Sequence, residues 1–305
     1  KVEILLPKTS FYVESGGQVS DTGKIVSFSN EFEIEVQSMR RPAAGMIVHV
    51  GLVTKGSVEI YKPVVAIVDR KRRLDIMRNH TATHLLHAEL HRVLGNHARQ
   101  AGSLVAPDRI RFDFTHPEGL TADELEVIER GVNDAILENH HLNITHKSLS
   151  DAISEGAMAL FGEKYGEVVR TITIGNNEAF SYELCGGTHV EETGDIGTFI
   201  ITGEGSAAAG IRRIEAVTGR VAYDLINKRN HLIKSVASTI GASVETLEEK
   251  VESLFKETET LRKENSKLRQ SLAKEFFEKS LLGTKSIEGI SVLGQILFDS
   301  DIDAL

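Results

Sequence analysis

The sequence predicts an α+β fold in three parts: a small β-barrel, a mixed α/β domain and a long helical coiled-coil hairpin. Three changes of pattern along the 305 residues indicate these parts. Short apolar runs broken by turn residues fill residues 1–70, apolar residues at helical spacing begin near Arg72, and leucines recur at every seventh position from Leu247. A chain of this length is expected to form two or three domains.

Residues 1–70 carry the signals of closely spaced β-strands. Residues 25–28 and 31–36 lie on either side of a turn, and the second run alternates apolar and polar residues, as a half-buried strand does. Residues 64–68, with the sequence VVAIV, are expected to form a buried strand. Strands this short and this close together predict a small barrel.

Residues 71–219 are predicted to pack helices against an antiparallel sheet. The first helix is expected from Arg72 to about Leu94, because the apolar spacing stops there and Gly95 follows. A hairpin is expected at 101–115, where apolar and polar residues alternate in the second half.

A second helix is indicated by Thr121 and Glu124, which form the pattern of a capping box. We expect it to extend to about residue 139. The glycine-rich residues 203–210 are expected to join two strands. The other predicted elements are a short helix at 149–155 and strands at 142–146, 168–174, 180–184, 198–201 and 211–217.

Residues 220–282 are predicted to be helical, with a break at Gly241. Heptad positions indicate a coiled coil over residues 244–281, which predicts a homodimer or a hairpin with the helix at 221–240. A surface helix that packs on its own domain is the alternative. The leucines at d are Leu247, Leu254, Leu261 and Leu268, and the residues at a are Val251, Thr258, Asn265 and Leu272.

Residues 283–305 look like the start of a further globular domain that the sequence does not complete. The first residue is Lys1 and not methionine. Both features suggest a fragment of a longer chain.

The composition argues against a secreted protein, a membrane-spanning protein and a protein with general affinity for nucleic acid. The single cysteine excludes an internal disulfide and fits a cytoplasmic location, no secretory signal is visible, and no apolar run is long enough to cross a membrane. The formal net charge of −9 gives no general affinity for nucleic acid, although basic residues cluster locally. Such clusters are either solvated faces or contacts for phosphates, and they lie at residues 70–73, at Arg78, at Arg109 and Arg111, and at Arg212 and Arg213.

Two short motifs suggest a metal site. His80 and His84 are four residues apart and therefore share one face of the predicted helix, and Cys185 precedes His189 by four residues. Three imidazoles and one thiolate form a mixed donor set that suits zinc. The HxxxH pair alone is weak, because other histidines follow it on the same helix. The residue after His80 is Thr81 in place of the glutamate of zinc peptidases, which argues against peptide hydrolysis of that kind.

The sequence leaves the role of this metal site open. Sites closed by four protein ligands are usually structural, whereas a site that loses a ligand or expands to five could polarise water. Thr83 adds a hydroxyl beside His84, and Gln100 could reach the same pocket with its amide. The alternative for both residues is an ordinary polar surface position.

Six segments together resemble the editing half of bacterial alanyl-tRNA synthetases. They occur in the order of that family and cover nearly all of the chain. They are FYVESGGQ at residues 11–18, HTATH at 80–84, RFDF at 111–114, GAMALFGEKY at 156–165, CGGTH at 185–189 and RRIEAVTG at 212–219.

The resemblance implies roles for particular residues. One Zn²⁺ ion per chain is expected on His80, His84, Cys185 and His189. Thr83 and Gln100 are expected to be catalytic residues of the editing pocket. Gln18, Arg212 and Arg213 are expected to bind substrate, the arginines through the terminal phosphates of the tRNA. No residue stands out as a general base.

The resemblance also implies an activity, namely hydrolysis of tRNA(Ala) mischarged with serine or glycine. One methyl group or one hydroxyl changes binding too little for a single site to discriminate, so a second hydrolytic site is needed. The full-length protein is expected to attach alanine with ATP and Mg²⁺ in a domain that precedes this sequence. The alternatives are a free-standing editing protein and a non-catalytic, zinc-stabilised module for tRNA binding and dimerisation.

Overall fold

The computed structural model describes residues 1–159, 165–176 and 178–293. Part of the 156–165 motif and the end of the region expected to begin a further domain therefore lie outside the described residues. The chain divides into two compact units, Lys1–Asn227 and Lys228–Leu305. The finer division at residues 70, 219 and 282 stays a prediction. Among the described residues, no helix combines the length and the apolar character needed to cross a membrane.

The first sheet has five antiparallel strands around a small apolar core that includes Ile25, Phe32 and Ile34. Its spatial order is β1-β4-β3-β2-β5, so β1 and β5 are the two edges and the barrel expected from the sequence is not confirmed. The strands are β1 (Val2–Leu5), β2 (Gly23–Ser27), β3 (Glu33–Ala43), β4 (Met46–Lys55) and β5 (Val64–Val68).

The expectation that residues 64–68 form a buried strand is wrong. Among the described strands β5 pairs with β2 alone, and Val65 and Ile67 on its outer face are 46% and 48% exposed. A continuous apolar run suggests burial on both faces, but here the strand lies at the sheet edge and covers the core with one face.

Helix α1 (Arg70–Leu94) is the central element of the α/β part. It begins two residues before the predicted start because Asp69 is the N-cap and accepts the backbone N–H of Arg72. It ends where predicted, at Gly95, whose φ of 102° disfavours other residues. Its middle is buried on both sides of the metal motif, which makes it a rigid support for the histidines.

Two antiparallel sheets and a second helix complete this part. The four-stranded sheet has the order β11-β12-β7-β6, and the three-stranded sheet has the order β10-β9-β8. The capping box of Thr121 and Glu124 is present at the start of the second helix, as predicted. The elements are β6 (Gln100–Val105), β7 (Ile110–Thr115), α2 (Ala122–Leu137), β8 (Leu142–Ser148), α3 (Leu149–Ser154), β9 (Val168–Ile174), β10 (Ser181–Leu184), β11 (Phe199–Ala208) and β12 (Ile211–Thr218).

The main core lies between α1, α2 and the four-stranded sheet, and it includes Leu86, Phe112, Ile128 and Phe199. The sequence predicts that the glycine-rich residues 203–210 join two strands, and this is wrong for most of them. They continue β11, with two register shifts against β12, and the chain reverses only at residues 209 and 210.

A turn at residues 15–18 brings the first sheet to the edge of β6. The backbone N–H of Val105 donates to the carbonyl of Gly17 at 2.8 Å, and Val19 donates back to Val105 at 3.1 Å. A Cβ on Gly17 would lie 2.3 Å from Oγ of Ser103, so the approach requires glycine. This contact places Gln18 beside α1.

Two helices follow, α4 (Gly219–Thr239) and α5 (Leu247–Leu281), and then a short hairpin of β13 (Lys285–Ile287) and β14 (Ile290–Val292). Among the described residues α5 has no buried side chain, and Leu261 and Leu268 are 57% and 64% exposed. The long helix is as predicted, whereas the coiled-coil hairpin is not confirmed.

Candidate metal centre and adjacent cavity

Helix α1 places His80 and His84 on one buried face. Their rings are stacked, with centroids 5.4 Å apart and planes 8° from parallel. The side chains are 6% and 5% exposed. Because both sit in the middle of a long buried helix, neither ring can move away without disturbing the core.

Cys185 and His189 meet these histidines from the segment that follows β10. Sγ of Cys185 lies 3.3 Å from Nε2 of His80 and 3.4 Å from Nε2 of His189. Zinc–nitrogen and zinc–sulfur bonds of about 2.1 and 2.3 Å at a tetrahedral angle separate the two ligand atoms by about 3.5 Å. All four donor atoms lie within 4.8 Å of one another, so the group could hold a metal ion.

The second nitrogen of each imidazole is held by a protein group. Nδ1 of His80 lies 2.7 Å from Oε1 of Gln18, and Nδ1 of His84 lies 2.8 Å from a carboxylate oxygen of Glu183. Nδ1 of His189 lies 3.2 Å from the hydroxyl of Thr81. In this arrangement each Nδ1–H donates outward, which leaves Nε2 as the ligand atom.

Nε2 of His84 supports the fit of a metal ion. Within the described part of the chain this atom is buried and has no hydrogen-bond partner. A buried nitrogen without a partner is costly unless something binds it. With two other imidazoles and one thiolate nearby, the donor set suits zinc better than a hard cation such as Mg²⁺.

The backbone of the Cys185–His189 turn fits closely around the histidines. A Cβ on Gly187 would lie 1.9 Å from Cε1 of His80, which leaves no room for a side chain. Arg170 donates from Nη1 to the carbonyls of Cys185 and Gly187 at 2.7 and 2.8 Å. Protein hydrogen bonds thus fix the shape of the turn.

The donor side chains and Glu183 shift the pKa values of one another. Burial disfavours the thiolate of Cys185, but His80 and its neighbouring imidazoles lower the pKa of the thiol well below its usual range. Burial also opposes charge on His84, yet Glu183 and Cys185 raise its pKa to about 10. Burial, with a contribution from His80, lowers the pKa of His189 to about 3. The donor group thus contains the thiolate of Cys185 with the carboxylate of Glu183 beside it, and both negative charges favour a bound cation once His84 has lost its proton.

A cavity of about 270 Å³ adjoins the donor group. His80, His84 and Cys185 line it, and so do the two residues expected to be catalytic, Thr83 and Gln100. The structure therefore brings both predicted residues to the metal donors.

Within the described parts of the chain, each of the two predicted catalytic side chains has one hydrogen bond to the protein. The hydroxyl of Thr83 donates to the carbonyl of Asn79 at 2.8 Å, and Nε2 of Gln100 donates to Oγ of Ser103 at 3.1 Å. Acceptor atoms of both side chains are left for a small ligand.

The three residues expected to bind substrate lie elsewhere. Gln18 is fully buried, and its amide contacts His80 and both the N–H and the hydroxyl of Thr188. Arg212 forms a two-point ion pair with Glu204, and Arg213 does so with Asp113. None of the three lines the cavity.

Sequence reasoning missed Glu183, His87 and the position of Gln18. One signal for Glu183 was present, because a residue two positions before Cys185 at the end of a strand points to the same side of the sheet. Nothing in the local pattern around Gln18 indicates a histidine 62 residues away.

Two family profiles match parts of the chain. Residues 169–215 match the threonyl and alanyl tRNA synthetase second additional domain. Residues 1–72 match tRNA synthetases class II (A). The first match includes Cys185 and His189, and the second includes the turn that carries Gln18.

Curated relatives extend the similarity over the whole chain. An alanine–tRNA ligase from Desulforamulus reducens is 43% identical over 305 residues, which is 100% of this chain and 34% of that protein. An alanine–tRNA ligase from Roseiflexus sp. strain RS-1 is 49% identical over 79% of this chain and 29% of that protein.

A third alanine–tRNA ligase, from Chelativorans sp. strain BNC1, is 47% identical over 80% of this chain and 28% of that protein. The chain thus spans about a third of the length of these relatives. With identity of this level along its full length, the chain belongs to the alanyl-tRNA synthetase family.

Proposed function

We propose that the cavity beside the metal donors hydrolyses the ester bond of tRNA(Ala) mischarged with serine or glycine. The observation that carries this proposal is the position of Thr83 and Gln100 in one small cavity with three of the four donor residues. In the proposal His80, His84, Cys185 and His189 hold one Zn²⁺ ion, which supplies positive charge and Lewis acidity when bound.

The size and lining of the cavity support a small aminoacyl group as ligand. A volume of about 270 Å³ suits a small amino acid such as serine or glycine at the end of a tRNA better than an amino acid with a large side chain. The hydroxyl oxygen of Thr83 suits the ammonium or hydroxyl group of serine as an acceptor, because its own proton is already donated to the carbonyl of Asn79. Gln100 then shapes the far wall, with its amide held by Ser103.

The burial of the donor group supports hydrolysis over simple capture of the ester. Because His80 and His84 are buried, little bulk water screens the charge of a metal ion at this position from the ester carbonyl. Glu183 is the one carboxylate among the described residues that line the cavity, and His84, His87 and Ser181 engage both of its oxygens. The terminal ribose hydroxyl is therefore the proposed proton relay: as water adds to the ester carbonyl, the hydroxyl takes a proton from the water and gives its own to the ester oxygen, which leaves as the second ribose hydroxyl. Thr83 and Gln100 hold the ester in place for the attack.

For the rest of the chain the proposal follows the relatives. The partner is tRNA(Ala), and Arg212 and Arg213 contact its phosphates in exchange for Glu204 and Asp113. In this proposal, pairing through residues 244–281 gives a homodimer. The protein is located in the cytoplasm, and the complete protein attaches alanine to the tRNA with ATP. Each of these points is separate from the editing site and can fail without it.

A second candidate is a non-catalytic module that binds tRNA and is stabilised by zinc. It is favoured by the four protein donors, because sites closed by four protein ligands are usually structural. In that case Cys185→Ala would lower stability, and tRNA binding by the intact chain would proceed without hydrolysis.

Deacylation of Ser-tRNA(Ala) and Gly-tRNA(Ala) by the zinc-loaded chain tests the proposal, with Ala-tRNA(Ala) as the control substrate. We expect hydrolysis of both mischarged forms and a loss of about 100-fold or more in Thr83→Val, which keeps the shape of the side chain. Zinc content and circular dichroism establish that each variant is loaded and folded. Binding without hydrolysis would support the second candidate, and full activity of metal-free Cys185→Ala would exclude a role for zinc.

A further inference from the structure

Glu183 is a buried carboxylate with three donors around it. Its side chain is 3% exposed, and one oxygen lies 2.8 Å from Nδ1 of His84. The other oxygen lies 3.1 Å from Nδ1 of His87 and 3.2 Å from Oγ of Ser181, which donates to it. A carboxylate that is this enclosed is retained only when its contacts compensate for the lost hydration.

We propose that Glu183 is the positioning residue of the metal centre, acting through His84. By accepting Nδ1–H of His84 it holds the ring in the tautomer whose Nε2 faces the other donors. This inference rests on the zinc site of the proposed function and adds a residue that acts on the metal through one of its ligands.

The charge of the site gives Glu183 a second role. Three neutral imidazoles and the thiolate of Cys185 leave one positive charge of Zn²⁺ uncompensated in a buried place. The carboxylate of Glu183 lies one imidazole away from the metal position and brings the total charge to zero. No other carboxylate among the described residues is within hydrogen-bond distance of a donor histidine.

His87 keeps the carboxylate in place from the same helix. It lies three residues after His84 on α1, is 3% exposed, and donates to the oxygen that His84 does not use. The two rings therefore hold Glu183 from both ends. A neutral amide at this position would offer one oxygen to two N–H donors and turn its NH2 group toward one of them.

The test compares Glu183→Gln with Glu89→Gln in the full chain. Glu89 is also a buried carboxylate, 1% exposed and carried by α1, but it pairs with Arg92 and not with a donor histidine. Zinc affinity is measured by competition with a chelator, and the ligand field is measured from the absorption spectrum of the Co²⁺-loaded protein.

We expect Glu183→Gln to weaken zinc binding about 10- to 100-fold and to shift the Co²⁺ spectrum, whereas Glu89→Gln changes neither. A purely structural role of Glu183 would lower the melting temperature of Glu183→Gln and leave its zinc affinity and Co²⁺ spectrum unchanged. Wild-type zinc affinity and an unchanged Co²⁺ spectrum in folded Glu183→Gln would overturn the inference.

Glu183→Asp provides a second variant if the amide does not fold. It keeps the charge but withdraws the carboxylate from His84 by about one bond length. We expect intermediate zinc affinity, and wild-type affinity would overturn the positioning role. Zinc binding is measured without tRNA, so a chain whose zinc affinity depends on Glu183 but which hydrolyses no ester would uphold this inference and refute the deacylase.

Discussion

Oε1 of Gln18 lies 2.7 Å from Nδ1 of His80 and so connects the first sheet to the metal donors of α1. The same oxygen accepts the backbone N–H of Thr188 at 2.9 Å, and Nε2 of Gln18 donates to the hydroxyl of Thr188 at the same distance. One buried amide thus contacts both segments that carry the donors. This position supports a role in orienting His80, in place of the substrate contact expected from the sequence.

Replacement of Gln18 by alanine should weaken zinc binding about 10- to 100-fold, because His80 loses the acceptor that fixes its tautomer. The free energy of unfolding should fall by about 1–3 kcal/mol, since buried partners lose their hydrogen bonds. The matched control is Gln37→Ala, an exposed glutamine of the same sheet, which should change neither quantity. Chelator competition and urea unfolding measure the two effects, and equal zinc affinity of both variants would argue against this role.

Replacement by alanine is expected to lower zinc affinity at Gly187 but not at the neighbouring Gly186. A Cβ on Gly187 would lie 1.9 and 2.3 Å from two ring atoms of His80, whereas a Cβ on Gly186 would have nothing within 4 Å. Gly187→Ala should therefore displace the ring and lower zinc affinity by about tenfold or more. Gly186→Ala should bind zinc as the natural protein does. Equal zinc affinity of the two variants would show that the close packing of Gly187 against His80 does not determine the ligand geometry.

Glu89 gives a stability prediction that depends on pH. Burial raises the pKa of its carboxyl above the usual value, and Arg92 offsets only part of this. The unfolded chain then releases this proton at a lower pH than the folded chain, so the free energy of unfolding falls as the pH rises through the folded pKa. Glu89→Gln removes this fall, and its stability relative to the natural protein should increase between pH 4 and pH 7. Urea unfolding at both pH values measures the change, and the opposite trend would contradict it.

The heptads of α5 predict self-association in solution. Leu268 at a d position is 64% exposed in the single chain, and a charge there would oppose pairing. Leu268→Asp should convert a dimer to a monomer, while Gln270→Asp at the outer f position should leave the dimer intact. Light scattering coupled to size exclusion measures the mass. A natural protein that is already monomeric would leave α5 as a surface helix, the alternative interpretation of the sequence.

Local signals made part of this fold predictable. The start of α2 follows from Thr121 and Glu124, which are three residues apart and form the capping box between themselves. The donors of the metal site also lie in two short motifs, so each half could be recognised without knowledge of the fold. The start of α1 was placed two residues late because the cap at Asp69 precedes the first apolar repeat.

Contacts between distant segments account for what the sequence did not show. His87 and Glu183 are 96 residues apart, and no periodicity relates them. In β11 the glycines indicate a loop when considered alone, yet pairing with β12 extends the strand through them. Tertiary pairing overrides local preference in such segments.

The turn that carries Gln18 also limits where the protein can be truncated. It covers the end of β6, the outer strand of the four-stranded sheet, through the hydrogen bonds of Val105 with Gly17 and Val19. A shortened protein that begins at residue 71 would leave these backbone groups bare, and uncovered strand edges favour aggregation. Light scattering of such a truncated protein should detect this aggregation. We therefore expect the α/β part to be soluble only when the first sheet is retained.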